Sequence, residues 1–433
     1  MSLIKKSLFV LILLLLLFPA IQESLQIFKE PSLNGYFIPR KQTVFSVSTW
    51  FTGIYQDSLT NYCKENSGFR SDLVRIYNQA DYSLFSIPHA AKIVLGKKGY
   101  LFSDEYIDAF TGANFAGKDY CDEKVGLLKK LQDLLWTEKK ILLVVILTPD
   151  KGTYYPEYIP DRFVNRKKGL TNYGYYSAAC AKAGINLIDF NSYFLGLKET
   201  AKYPLYPKTG IHWSDYGAVL AADSLLHYLQ AKLNFKLPSL VIDSLQKSRV
   251  AFNSDDDIEK TMNLMRTIPT PVYAYPRYHF TSDTAQKKPS ALIIGDSFYW
   301  NWYPGIVKNV FSNDEFWYYN TDIFPESRTR VKQVPQIDVA EAINRQNVII
   351  LMQVNGAKGN IGYGFIELAL SVLDPSNSRE VRRVEDEIRN NRDWMSMVEQ
   401  KAMKNSRTVE QQLRLDAIYM LDLQKKDKKH KPR

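Results

Sequence analysis

Ala291-Leu292-Ile293-Ile294-Gly295-Asp296-Ser297-Phe298 is an apolar run that stops at a glycine and delivers a serine. Four consecutive apolar residues ahead of Gly-Asp-Ser predict a buried strand of a parallel sheet followed by a tight turn. Such a turn presents Ser297 at the carboxyl end of the sheet, where open α/β sheets bind their ligands. A helix starting just after the serine aims free N–H groups at any negative charge that develops there. The tripeptide alone reads equally well as a helix cap, so other segments have to break the tie.

Strands alternate with helices from Lys139 onward. Ile141 to Leu147 is an apolar strand that ends in Thr148-Pro149-Asp150-Lys151-Gly152, a loop at the carboxyl end of the sheet. Ile185-Asn186-Leu187-Ile188-Asp189-Phe190 is a second strand, and Lys208-Thr209-Gly210-Ile211-His212-Trp213-Ser214 follows it. A helix over Tyr216 to Leu233 is predicted from Leu220, Leu225, Leu226 and Leu229. His212, after a sheet strand and just ahead of a helix, is a candidate partner for Ser297, although a lone histidine is more often structural. Downstream of the serine come Phe316-Trp317-Tyr318-Tyr319 and Val348-Ile349-Ile350-Leu351-Met352-Gln353-Val354-Asn355-Gly356.

The order of these pieces is informative. In SGNH hydrolases the sheet begins with a Gly-Asp-Ser strand, later supplies an oxyanion-hole Asn after another strand, and closes with a histidine before the final helix. Here the histidine segment precedes the serine segment, as though the closing strands had been moved to the front. That permuted order resembles the periplasmic alginate O-acetyltransferase family of the AlgX and AlgJ type. The likeness extends to the Thr-Pro-Asp-Lys loop with Tyr155-Pro156-Glu157 after it, and covers most of residues 45–370. The resemblance implies a circularly permuted, SGNH-hydrolase-like parallel α/β sheet flanked by helices. It further implies Ser297 as nucleophile, His212 as base, and Asn355 as an oxyanion donor beside the Ser297 amide. Neither a cofactor nor a metal is expected. A polysaccharide would be the acceptor, and a membrane-bound O-acyltransferase would supply the acetyl group. Two alternatives stay open at this point: a carbohydrate acetyl esterase, with water as acceptor, and a non-catalytic polysaccharide-binding subunit of an export complex.

One departure matters. The family carries Asp-x-His, where the Asp orients the imidazole, and this chain has Gly210-Ile211-His212. The first substitute is Asp150, whose loop leaves the sheet on the same side. Asp215 and Asp296 come next, both more easily explained as helix-cap or turn residues.

The remaining sequence sets the frame. A chain of 433 residues, 45% apolar and 13% aromatic, buries a large core and exceeds one ordinary domain. Its net charge of +10 is not the signature of a nucleic-acid reader, because six basic residues crowd into Lys425 to Arg433 as a solvated tail. Three cysteines without Cys-x-x-Cys spacing argue against zinc and permit at most one disulfide. Lys5 and Lys6 precede an apolar run that ends near Ile21, extendable through Phe28. No Ala-x-Ala cleavage site follows, so residues 1–28 read as a signal anchor in preference to a removed signal peptide. Lysines on the short side place the remainder outside the cytoplasm, on the periplasmic side of the inner membrane. Tyr55 to Gln79 predicts two helices broken by Gly68, and Ile93 to Phe102 a hairpin. Residues 29–377 are then the SGNH-like domain, interrupted by an insertion over about 234–290. Within that insertion Ser254-Asp255-Asp256-Asp257 reads as a helix start with acids in its first turn. The Pro- and Tyr-rich stretch from Pro269 to His279 reads as an extended segment packed over the sheet. Residues 378–433 form a helical extension, with Thr408 and Gln411 as a capping box.

Overall fold

The computed structural model of the chain describes residues 3–35, 42–164, 168–234, 236–281, 286–324, 329–330, 332–355, 357, 359–404 and 409–430. Its strands are β1 (Ile93–Leu95), β2 (Leu101–Ser103), β3 (Leu142–Thr148), β4 (Leu187–Asp189), β5 (Leu240–Ser248), β6 (Tyr273–Phe280), β7 (Ser290–Gly295), β8 (Asn313–Tyr318), β9 (Asp322–Phe324), β10 (Lys332–Gln333) and β11 (Val348–Val354). Seven of them form one sheet in the order β10-β9-β8-β7-β11-β3-β4. Strands β8, β7, β11, β3 and β4 are mutually parallel, and β9 and β10 continue the edge antiparallel. Counted from the Gly-Asp-Ser strand β7, the parallel part runs 2-1-3-4-5, the doubly wound order whose ligand crevice opens where the connections reverse. That switch point lies between β7 and β11, and Ser297 is two residues past the end of β7.

The continuous apolar runs follow from burial on both faces. Leu142, Val144, Ile146, Ile293 and Ile350 pack on one side, against the helix Asp215–Leu233 through Ala218, Ala222, Leu225 and Leu229. Leu143, Val145, Leu147, Ile294 and Leu351 pack on the other, against the helices Lys118–Lys139, Asn172–Ala183 and Phe365–Leu373. With both pleat faces covered, every position in β3 and β11 is buried, so alternation disappears from the sequence.

An entry module over residues 45–120 matches its sequence reading: helices Ile54–Asn66 and Arg70–Phe85 flank Gly68, and β1 and β2 pair as a hairpin. Residues 208–214 are irregular coil between β4 and the helix Asp215–Leu233. In the inserted region β5 and β6 form an antiparallel ribbon that includes the Tyr-rich stretch, with Tyr273 and Tyr275 buried. All three cysteines are free, two of them buried. Helices Pro375–Arg389, Arg392–Lys404 and Val409–His430 share a small core of Val381, Val384, Ile388, Val398, Leu413 and Leu421. The last helix takes in Lys425 to His430, so part of the basic tail is helical. The capping box at Thr408 and Gln411 lies outside the described residues and side chains.

Candidate active site

Ser297 opens a short 3-10 turn, Ser297–Asn301, directly after β7. Asp296 fixes that turn. Its buried carboxylate accepts from the Phe298 N–H at 3.1 Å, from the Val354 N–H at 2.7 Å and from the Tyr363 hydroxyl at 2.9 Å. One side chain thus ties the serine turn to the end of β11 across the switch point. Burial raises the Asp296 carboxyl above its ordinary range, and these three hydrogen bonds work in the opposite direction.

His212 reaches the serine from the coil ahead of the helix Asp215–Leu233. Ser214 caps that helix through the Gly217 N–H at 3.0 Å, and the adjacent Trp213 is fully buried against Phe298 and Trp302. Caps of this kind contribute about 1 kcal/mol, and here the cap also fixes where the imidazole leaves the backbone. His212 Nε2 lies 2.7 Å from Ser297 Oγ, and the Phe298 ring stands edge-on to the imidazole at 5.0 Å.

The acid at the far nitrogen is Asp257. Its Oδ2 lies 2.6 Å from His212 Nδ1, and its Oδ1 accepts the Ile211 N–H at 2.7 Å. A carboxylate that holds both the ring and the neighbouring backbone fixes the tautomer with Nδ1 protonated and Nε2 free to accept. Asp150, the first candidate from the sequence, is elsewhere. It caps the short helix Lys151–Tyr154, its Oδ1 accepting the Thr153 N–H at 2.7 Å, and complete burial pushes its carboxyl up to about 6. Asp215 heads its helix and accepts from Asn253, while Asp296 serves the turn.

Gly210 explains why the acid moved. A Cβ there would stand 2.5 Å from the Ser254 carbonyl oxygen and 2.8 Å from that of Asp255. Only a residue without a side chain lets the 254–257 segment approach closely enough to lay Asp257 on His212. The two features are one arrangement: the glycine that removes the expected acid makes room for the acid that replaces it. The signal in the sequence was three consecutive aspartates where a helix start needs one. Asp256 is the N-cap residue of Asp257–Met262, and it makes no side-chain capping bond.

Lys151, from the Thr-Pro-Asp-Lys loop, supports the same segment from beneath. It is 1% exposed, and its Nζ donates to the carbonyls of Leu101 at 2.9 Å, Lys208 at 3.3 Å and Gly210. Three acceptors suit the three N–H bonds of an ammonium. Burial pulls this ammonium down to about 7, opposed by the charges of Asp257 and Asp255.

Asn355 does not turn toward Ser297. Its carboxamide oxygen accepts from Asn191 at 3.2 Å, and its nitrogen donates back to Asn191 and to Thr153 Oγ1 at 3.4 Å. Two buried amides paired in this way leave no donor of Asn355 for a developing oxyanion. Tyr319, given no role in the sequence reading, brings its hydroxyl into the neighbourhood of Ser297. It sits at φ 49° just past β8, followed by Asn320 at φ 54°. Left-handed backbone at a bulky residue is uncommon and marks a position held by its surroundings. Here the Tyr319 N–H donates to the Gly295 carbonyl at 2.9 Å, which bends the chain toward the serine.

A parallel sheet of this order, with Gly-Asp-Ser at its switch point and His and Asp delivered from the permuted half, defines an SGNH-hydrolase-like fold. Residues 93–298 match the family described as SGNH hydrolase-like domain, acetyltransferase AlgX. The match runs from β1 to the serine turn and so takes in Asp150, His212, Asp257 and Ser297. Among solved structures it is similar to the O-acetyltransferase domain of Pseudomonas putida AlgJ, at 17% identity over 62% of this chain and 92% of that one, with a TM-score of 0.41. Pseudomonas aeruginosa AlgX aligns at 16% identity over 65% of this chain and 67% of that one, TM-score 0.43. Bacillus cereus PatB1 aligns at 14% identity over 63% and 99%, TM-score 0.43. No curated protein matches the chain significantly.

Proposed function

We propose that the chain transfers acetyl groups to hydroxyls of a cell-surface or secreted polysaccharide through an acyl-enzyme on Ser297. The observation that carries this reading is the continuous line Ser297–His212–Asp257, with contacts of 2.7 and 2.6 Å. Ser297 Oγ attacks the acetyl carbonyl of a donor ester or thioester while His212 Nε2 takes its proton. The tetrahedral intermediate collapses, the leaving oxygen or sulfur receives that proton, and acetyl-Ser297 remains. A sugar hydroxyl then gives its proton to His212 and attacks the acyl carbon, and His212 returns the proton to Ser297 as the acetylated sugar leaves. Asp257 orients the ring and stabilises the imidazolium. The Ser297 amide is the candidate oxyanion donor in this reading, with the nearby Tyr319 hydroxyl as a second; one such donor is worth about 10² to 10³ in turnover in a serine protease.

The acetyl donor in this reading is a membrane-bound acyltransferase that passes acetyl groups outward, with the N-terminal helix as anchor in the inner membrane. Leu3–Leu25 is long and apolar enough to cross a bilayer. Its far end packs on the entry module: Phe18 stacks on Phe69 at 4.8 Å, and Gly68 lies against the Pro19 carbonyl and the Gln22 side chain. Such a fitted contact supports an anchor that is kept. The test incubates the purified protein with an acetyl ester donor and oligosaccharides and looks by mass spectrometry for acetyl-Ser297 and acetylated sugar. Acetyl-Ser297 in wild type and its loss in Ser297→Ala are expected; a wild-type protein that never acylates overturns the proposal.

A further inference from the structure

We propose that the acceptor cleft beside Ser297 takes an uncharged glycan and rejects polyuronates such as alginate. This rests on the acyl-transfer reading above and concerns what discharges the acyl-enzyme. A cleft of about 570 Å³ opens onto Ser297 and His212, lined further by Asp215, Asn253, Tyr278 and Trp300. Among the described residues no lysine or arginine lines it. A uronate site needs a cation, since each sugar brings a carboxylate that pairs best with a guanidinium or ammonium.

The wall carries the opposite charge. Asp215 is the first residue of the helix Asp215–Leu233 and lines the cleft; burial raises its carboxyl, and the hydrogen bond it accepts from Asn253 works in the opposite direction. Behind it Asp255 is fully buried, accepting the Tyr275 hydroxyl at 3.0 Å. Burial first, and the neighbouring Asp215 second, push the Asp255 carboxyl well above its ordinary range, the behaviour of two carboxyls that resist ionising together. Asp257 stands next to them on His212. The buried Lys151 offsets part of the Asp255 and Asp257 field, but its ammonium is committed to three backbone carbonyls and does not line the cleft. A uronate carboxylate bound here would face Asp215 and the buried Asp255 behind it, with no lysine or arginine among the described lining residues to pair with it.

The other lining groups suit neutral pyranoses. Trp300 is held at a fixed angle by edge contacts with Phe316 and Phe324 at 4.9 and 5.0 Å, and Tyr278 comes from β6 on the opposite side. Aromatic faces stack on the C–H faces of sugars, and the carboxamides of Asn253 and Asn301 offer both donors and acceptors to hydroxyls.

The test uses the full-length protein in detergent, a nitrophenyl acetate donor, and two matched acceptor sets: neutral β-1,4-linked glucose or mannose oligosaccharides, and mannuronate oligosaccharides of the same length. Neutral acceptors should discharge acetyl-Ser297 with kcat/KM at least about tenfold higher, the factor that corresponds to 1.4 kcal/mol. Raising the salt concentration should narrow the gap in wild type by screening the wall. Asp215→Asn should narrow it several-fold by admitting uronates. Equal or better transfer to mannuronates, discharge to neither sugar, or a gap that neither salt nor Asp215→Asn changes overturns the proposal. Acylation is read separately in the same samples: a protein that never forms acetyl-Ser297 fails the underlying reading, whereas one that acylates and discharges to uronates fails this inference alone.

Discussion

Replacing Asp257 by Asn separates this site from every arrangement the local sequence suggested. The substitution keeps size and shape, so the carboxamide oxygen can still accept the Ile211 N–H that now binds Oδ1 at 2.7 Å. The other atom then becomes an NH₂ facing His212 Nδ1, where an acceptor stood at 2.6 Å. To meet that donor the imidazole must carry its proton on Nε2, the nitrogen that lies 2.7 Å from Ser297 Oγ and has to accept from it. The neutral ring is locked in the tautomer that cannot act as base. In a serine protease the equivalent change costs about 10⁴ in turnover, close to 5 kcal/mol of transition-state stabilisation. A loss of about 10³- to 10⁴-fold in the rate of Ser297 acylation is expected here, with little change in melting temperature. Asp150→Asn is the control: its carboxyl caps Thr153, so the change should cost stability of about 1 kcal/mol and less than tenfold in rate. The measurement is single-turnover acylation by an acetyl ester, followed by intact mass. An Asp257→Asn enzyme within a few-fold of wild type, or an Asp150→Asn enzyme as impaired as Ser297→Ala, refutes the assignment.

Restoring the family residue by Gly210→Asp should lower activity, because its Cβ meets the Ser254 and Asp255 carbonyls; thermal denaturation should show a loss of about 1–3 kcal/mol, and a rate gain would contradict the packing. Lys151 predicts a pH effect: burial holds it near 7 when folded, so between about pH 7 and the ordinary lysine value of 10.5 the unfolded chain binds the proton that the folded one gives up. Stability carried by this group therefore rises with pH across that window, and Lys151→Met should flatten the denaturant-midpoint profile there. Tyr319→Phe should slow acylation by about tenfold or more while leaving the melting temperature within a degree or two, if its hydroxyl serves the oxyanion; an unchanged rate would assign it a packing role only.

The sequence by itself determined the sheet and brought Ser297 and His212 forward as a candidate pair, because both are written in local pattern. The largely apolar runs at β3, β7 and β11 read as strands covered on both faces, and the Gly-Asp-Ser turn follows one of them. The position of His212 ahead of a capped helix placed it at the same end of the sheet, and its contact with Ser297 follows from that topology. What the tertiary structure alone decided were the groups whose neighbours lie far along the chain. Asp257 reaches His212 across 45 residues, from an insertion whose aspartates look like an ordinary helix start. Asn355 was spent on Asn191, 164 residues away, so its offer to the oxyanion depended on a pairing that no spacing reveals. Gly210 read as a missing acid, and only the approach of the Ser254 carbonyl shows that it is a space kept open. Periodicity records which face of an element is buried; it does not record which distant carboxylate, amide or carbonyl will arrive to occupy that face.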